Sequence, residues 1–230
     1  MRLALPVLLA TLAFAASPFL VPDFGGFDPA AFPIPQPNPP VQPAGYAFSI
    51  WGVIYLWLLV SAGFGLLSRA EGATWGAMRA PLLVSLAVGA VWLLVAVRSP
   101  VWASVLIWVM LGGALAALYR APVQDRWLAA EPVALYAGWL SAASVVSLGL
   151  LAAGYGLMGG VAAGWAGIVA ASGLGFAVQW SLGRAPFYGV AVIWALAAVA
   201  VRNAGETELM TAALAGAALV GVATARAALR

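Results

Sequence analysis

The chain has 230 residues, 65% of them hydrophobic and only 7% charged, with a formal net charge of +3. A soluble domain carries roughly 25% charged residues, so water is excluded as the main solvent and lipid takes its place. The charge rests on arginines and acids scattered between apolar runs, with no basic patch for nucleic acid. Cysteine and histidine are absent, which removes disulfides, thiol chemistry, zinc sites and the commonest haem ligand.

The first apolar run, about residues 3–20, supports two readings. Arg2, the apolar stretch and Ala13-Phe14-Ala15 follow the layout of a cleaved secretory signal. The same run also reads as a membrane span. Residues 21–45 form the longest connection, with Pro22, Pro29, Pro33, Pro35, Pro37, Pro39, Pro40 and Pro43. Proline fixes φ and removes a donor, so this segment is stiff and extended. It is either a rigid connector or a lid over a site that opens outward.

Further runs follow at about 46–67, 80–97, 101–119, 133–154, 160–179, 186–201 and 208–225. A tight Arg98-Ser99-Pro100 turn joins the third run to the fourth, and the seventh is short. In lipid every backbone amide must be satisfied internally, which predicts helices. Nothing alternates with the period of two that a β-barrel requires. The fold class is all-α: a polytopic transmembrane helix bundle of about eight spans. Gly160 and Gly164 make a GxxxG step, where small residues let helices approach closely within a monomer or across a dimer face.

Arginine counting orients the bundle. With the N-terminus inside, the inside segments hold Arg2, Arg69, Arg79, Arg120, Arg126, Arg184, Arg226 and Arg230, against Arg98 and Arg202 outside. Both termini are expected to be cytoplasmic and the proline-rich segment to lie outside. The expected location is the cell (inner or plasma) membrane.

No Asp, Glu, Lys or His falls in the middle of a run. That argues against a proton-coupled pump and against charge-relay chemistry, and no catalytic residue is assigned. Gln179, near the end of a run, suits an interhelical hydrogen bond. Residues 154–159 follow the letters GxGxxG but lack the strand that gives this pattern meaning.

The polar equipment that remains is aromatic. Trp75, Trp102, Trp127 and Trp180 fall in loops or at run ends, where indoles sit at headgroup level. Trp51, Trp92, Trp108, Trp139, Trp165 and Trp194 lie farther in, where each indole N–H needs a partner. Trp51 and Tyr55 share one helix face by their spacing of four, and Tyr136 and Trp139 share another by their spacing of three. Two such pairs are able to flank one cavity, or simply to pack together.

The stretch "NPPVQPAGYAFSIWGVIYLWL" resembles the tryptophan-rich sensory protein family, the TspO/MBR relatives of the translocator protein. There a Pro-Pro loop leads through an aromatic into Trp-x-x-x-Tyr; here these are Pro39, Pro40, Phe48, Trp51 and Tyr55. A second block, "EPVALYAGWLSAASVVSL", resembles the family's fifth helix through Pro132, Tyr136 and Trp139, and Trp92 sits where its third helix carries a tryptophan. Two positions depart. Gly89 and Ser147 stand where the family usually carries asparagine, which puts the ligand's identity in question.

The resemblance implies a five-helix core over residues 1–155 and three added helices over 156–230, as in a longer subgroup. It implies an integral membrane protein in a lipid bilayer, often a homodimer, whose cavity takes a porphyrin or sterol-like molecule. Trp51, Tyr55, Trp92, Tyr136, Trp139 and Phe48 are the expected ligand-binding residues, with Pro39 and Pro40 shaping the lid. No cofactor is required; a tetrapyrrole would be a ligand, and one without a tightly held metal, since His and Cys are missing. A permease or exporter for a small apolar solute and a membrane interaction protein remain as other readings.

Overall fold

The computed structural model describes residues 3–21 and 24–230. Arg2 and Pro22 lie outside the described residues. Among the described residues eight α-helices follow one another: α1 (Ala4–Ala16), α2 (Ile50–Leu67), α3 (Ala73–Ala96), α4 (Pro100–Arg120), α5 (Ala130–Gly154), α6 (Gly160–Leu182), α7 (Phe187–Arg202) and α8 (Thr207–Ala228). Among the described residues six segments are long and apolar enough to cross a membrane, while the Ala4–Leu20 and Phe187–Arg202 segments are shorter. At 1.5 Å per residue, sixteen residues fall short of a hydrocarbon core of about 30 Å. The short α7 is tolerable because α5, α6 and α8 cover it.

The first five helices close a ring. α1 packs on α2 and α3, α3 on α4, α4 on α5, and α5 returns to α2. α6 and α7 pack on the outer side of α5, and α8 closes a second layer against both. α5 therefore belongs to both halves. In its most apolar stretch 78% of residues are buried, so no face needs to be polar and none is.

α5 and α7 meet at Gly138. A Cβ there would lie 2.2 Å from the Tyr188 carbonyl oxygen and 2.9 Å from the Ala191 Cβ. The missing side chain sets the helix spacing, as small residues do where no hydrophobic drive exists between helices. Two phenol–hydroxyl pairs satisfy large polar groups buried along α5, one toward α7 and one toward α3. The Tyr188 hydroxyl lies 2.9 Å from Ser141 Oγ, and the Tyr136 hydroxyl 2.9 Å from Ser85 Oγ.

Helix ends are capped by chain chemistry. Ser99 accepts from the Trp102 amide at 3.3 Å and Pro100 opens α4, the expected N-cap and N1 roles. α3 starts at Ala73, earlier than the expected 80, and passes through Pro81. Arg79, which suggests a loop, instead turns back and donates to the Gly65, Arg69 and Ala70 carbonyls at the end of α2. Such donors satisfy orphan C-terminal carbonyls. Arg184 does the same for Leu118, Tyr119 and Ala121 at the end of α4. Gln179 makes its expected polar bridge, accepting from the Gly189 amide at 2.8 Å and donating to the Arg184 carbonyl at 3.0 Å.

Trp75 corrects an expectation. It is no interface anchor but a buried residue, 3% exposed, seated against Gly65 and donating to Asp125 Oδ2 at 2.7 Å. Trp102, Trp127 and Trp180 are exposed as expected. Asp125 also holds Arg69 by two bonds of 2.8 and 3.1 Å. The Arg69 bond, then that of Trp75, holds its carboxyl below the usual aspartate range. An acid with a depressed folded pKa stabilises above its unfolded value of about 4 and loses that contribution as pH falls further. Melting temperature in detergent is expected to drop on acidification below that pH, and Asp125→Asn to flatten the drop while lowering the value at pH 7.

Candidate functional site

The five-helix ring encloses a cavity of about 260 Å³. α1 supplies Phe14, α2 Trp51 and Tyr55, α3 Trp92 and Leu93, α4 Ile107 and Met110, and α5 Leu140. A second lobe of about 70 Å³ shares Phe24, Phe48, Trp51, Trp92 and Ile107 with the first. It continues toward Trp139, Ala143 and Ser147 on α5 and Ala195 on α7. Its cover is the proline-rich segment, here called the strap, through Phe24, Gly26, Phe27, Gln42 and Pro43.

The aromatic residues of the wall hold one another. Trp51 and Tyr55 stack at 5.4 Å and 17°. The Phe14 ring meets Trp51 edge-on at 5.8 Å and Tyr55 at 5.0 Å. Trp139 stands edge-on to Trp51 at 6.2 Å and to Phe48 at 5.9 Å. These are the distances and angles at which ring quadrupoles attract. They leave ring faces and edges, rather than charges, as the surface offered to a guest.

The structure thus gathers most of the sequence-predicted residues. Trp51, Tyr55, Trp92, Phe48 and Trp139 line the two lobes. Tyr136 stands behind the wall, fully buried, with its ring 5.6 Å from Phe14 and its hydroxyl on Ser85. Pro39 and Pro40 do not line the cavity. They lie on the far side of the strap, with Pro40 over the Gly160–Gly164 step of α6 and its carbonyl accepting from Asn203 at 2.9 Å. The GxxxG step therefore receives a loop of the same chain. Arg98, in the turn between α3 and α4, folds back onto the Leu94 carbonyl at 2.7 Å.

Two indoles differ in how their N–H is met. Trp92 Nε1 donates to the Ala103 carbonyl at 2.8 Å, which locks it to α4. Trp139 Nε1 finds no acceptor among the described residues although the residue is only 2% exposed. A buried donor without a partner costs about 1–3 kcal/mol.

Sequence reasoning missed Phe14 and the cover residues Phe24, Phe27 and Gln42. Gly89 was the available signal. A Cβ there would lie 2.8 Å from the Phe14 ring and 3.1 Å from Met110 Cε. The glycine at this departure from the family pattern makes room for a phenylalanine from α1. Ser147, the second departure, donates to the Ser144 carbonyl at 2.8 Å and lines the smaller lobe.

Comparison with known families matches residues 36–226 to the model of the TSPO-like protein family. The chain belongs to the TSPO-like protein family. The match begins inside the strap and runs into α8, so it includes the second helical layer as well as α2–α5. No curated protein matches the chain, and no solved structure does. Family and helices together make this TSPO-like chain a multi-pass integral membrane protein in contact with lipid.

Proposed function

We propose that this TSPO-like protein binds a flat, largely apolar molecule in the ring cavity, with a metal-free porphyrin the leading candidate. The observation that carries this reading is the unpartnered Trp139 indole N–H in the wall of a largely apolar, aromatic-rich cavity. A ring system stacks between the Trp51–Tyr55 pair and Trp92, and one acceptor on its edge meets Trp139. A mostly apolar pocket with few polar groups is the usual design of a small-molecule site. The main lobe is slightly below the roughly 300–1,000 Å³ of such sites, so a whole macrocycle requires the strap to rise. Both termini are assigned to the cytoplasm on the arginine distribution, which leaves the strap and the cavity mouth outside.

The test is quenching of intrinsic tryptophan fluorescence by protoporphyrin in the detergent-solubilised protein. Saturable quenching is expected. Trp139→Phe keeps an aromatic ring but removes the N–H together with the pyrrole half of the indole, and should weaken binding at least about fivefold, the worth of one hydrogen bond. Trp51→Ala removes a stacking face and should weaken it about tenfold. Quenching that saturates identically in both variants overturns the assignment.

A further inference from the structure

The strap does not lie over the cavity by stiffness alone, because one helix of the second layer, with its C-cap residue, holds the strap at three points and the turn just after it at a fourth. Trp194 Nε1 donates to the Ala47 carbonyl at 3.0 Å. The Ala44 amide donates to the Ala198 carbonyl at 3.0 Å. Arg202 Nη1 donates to Asn38 Oδ1 at 3.1 Å, and Asn203 Nδ2 to the Pro40 carbonyl at 2.9 Å. Residues 194, 198 and 202 recur every four positions and so share one face of α7. Asn38 holds a left-handed backbone, φ 52°, to present its side chain. Few residues other than glycine tolerate that region.

Two apolar knobs complete the seat. Val41 Cγ2 lies 2.4 Å from where a Cβ on Gly167 of α6 would stand, and Phe32 Cδ1 lies 2.4 Å from the same point on Gly154 of α5. The Ile34 amide donates to the Gly154 carbonyl at 2.9 Å. The near half of the strap is held differently. Phe24 and Phe27 lean on Trp92 at 5.5 and 6.4 Å, Phe27 meets Phe32 edge-on at 6.2 Å, and the Gln42 side chain ties the halves by a bond of 3.3 Å to the Gly25 carbonyl.

We propose that α7 is the docking helix for the strap, and that through it α6–α8 set how readily the cavity opens. Asn203 and Arg202 act as positioning residues, and Ala195 of the same helix supplies a wall of the smaller lobe. The cavity of the five-helix ring is incomplete without the second layer. That this governs ligand exchange rests on the binding reading above; the opening itself does not.

The chain's lack of cysteine makes the test direct. Single cysteines replace Ser147 or Ala143 inside the smaller lobe, and exposed Ser68 at the opposite end serves as control. Labelling by a charged methanethiosulfonate reagent is followed in the full-length detergent-solubilised protein, without ligand. Asn38→Gly removes the Arg202 acceptor while accepting the left-handed backbone, and Asn203→Asp removes the donor to Pro40. Each change is expected to speed labelling at 147 and 143 about fivefold, and at 68 not at all. Unchanged rates at both cavity positions in monodisperse Asn38→Gly protein overturn the proposal, as does an equal rise at all three. Should Asn203→Asp not fold, Asn38→Gly decides alone. Protoporphyrin takes no part, so a failure of porphyrin binding leaves this result standing.

Discussion

Gly138→Ala is expected to destabilise the protein by about 3 kcal/mol, the upper end of the usual overpacking range. The added Cβ would stand 2.2 Å from a main-chain oxygen, that of Tyr188. A flexible side chain can turn aside; a helix carbonyl moves only with its helix. Shifting α7 away from α5 also strains the bonds anchored near the start of α7. These are the Tyr188 hydroxyl on Ser141 at 2.9 Å, the Phe187 amide on Glu131 at 3.3 Å and the Gly189 amide on Gln179 at 2.8 Å. The control is Gly63→Ala in α2, where an added Cβ meets nothing within 4 Å and the melting temperature should hold. Thermal unfolding in detergent, read by loss of monodispersity, checks both. Equal melting temperatures for Gly138→Ala and wild type would show that the α5–α7 spacing is not set at this residue.

The number and order of the helices were legible because composition alone dictated the solvent, and lipid allows few backbone solutions. The ends were less legible, for physical reasons. Arg79 read as part of a loop because charge usually marks one. The guanidinium is instead consumed by three carbonyls of the preceding helix, and the helix continues. Trp75 read as an interface anchor because it lies beside a loop; its partner Asp125 is fifty residues away.

The aromatic wall was partly legible, since Trp51 with Tyr55 and Tyr136 with Trp139 announce shared faces by spacing. What spacing cannot carry is which face looks inward. Tyr136 turned to Ser85, behind the wall, while Trp139 turned to the cavity. The strap was the least legible part. Phe32 and Val41 are ordinary apolar residues in a proline-rich stretch, and their sockets are glycines in a glycine-rich chain. Only three-dimensional proximity distinguishes Gly154 and Gly167 from their neighbours. The second layer then acquires a structural task that helix counting left blank, the seating of the strap.

The second large effect concerns Phe14 and Gly89, which exchange one volume between two helices. Phe14 is 3% exposed, lines the main lobe, and packs on Trp51, Tyr55 and Tyr136. Phe14→Ala removes those contacts. Among lipid-embedded helices the transfer part of the usual loss falls away, because lipid is as apolar as the core. The packing and cavity part remains, on the order of 2 kcal/mol. Gly89→Asn, which installs the residue expected from the family resemblance, forces its Cβ to 2.8 Å from the Phe14 ring. In the wild-type background it should cost about 1–3 kcal/mol. With Phe14→Ala already made, the clash is gone and the same change should cost much less. A double-mutant cycle on melting in detergent is therefore expected to show a coupling of about 1–2 kcal/mol, as for residues in direct contact. The Phe14→Ala protein should also favour protoporphyrin over a smaller flat dye more than wild type does, because the vacated ring adds to the cavity. If Gly89→Asn costs the same in both backgrounds, Phe14 does not own that space. The glycine would then need another explanation than the α1 wall of the cavity.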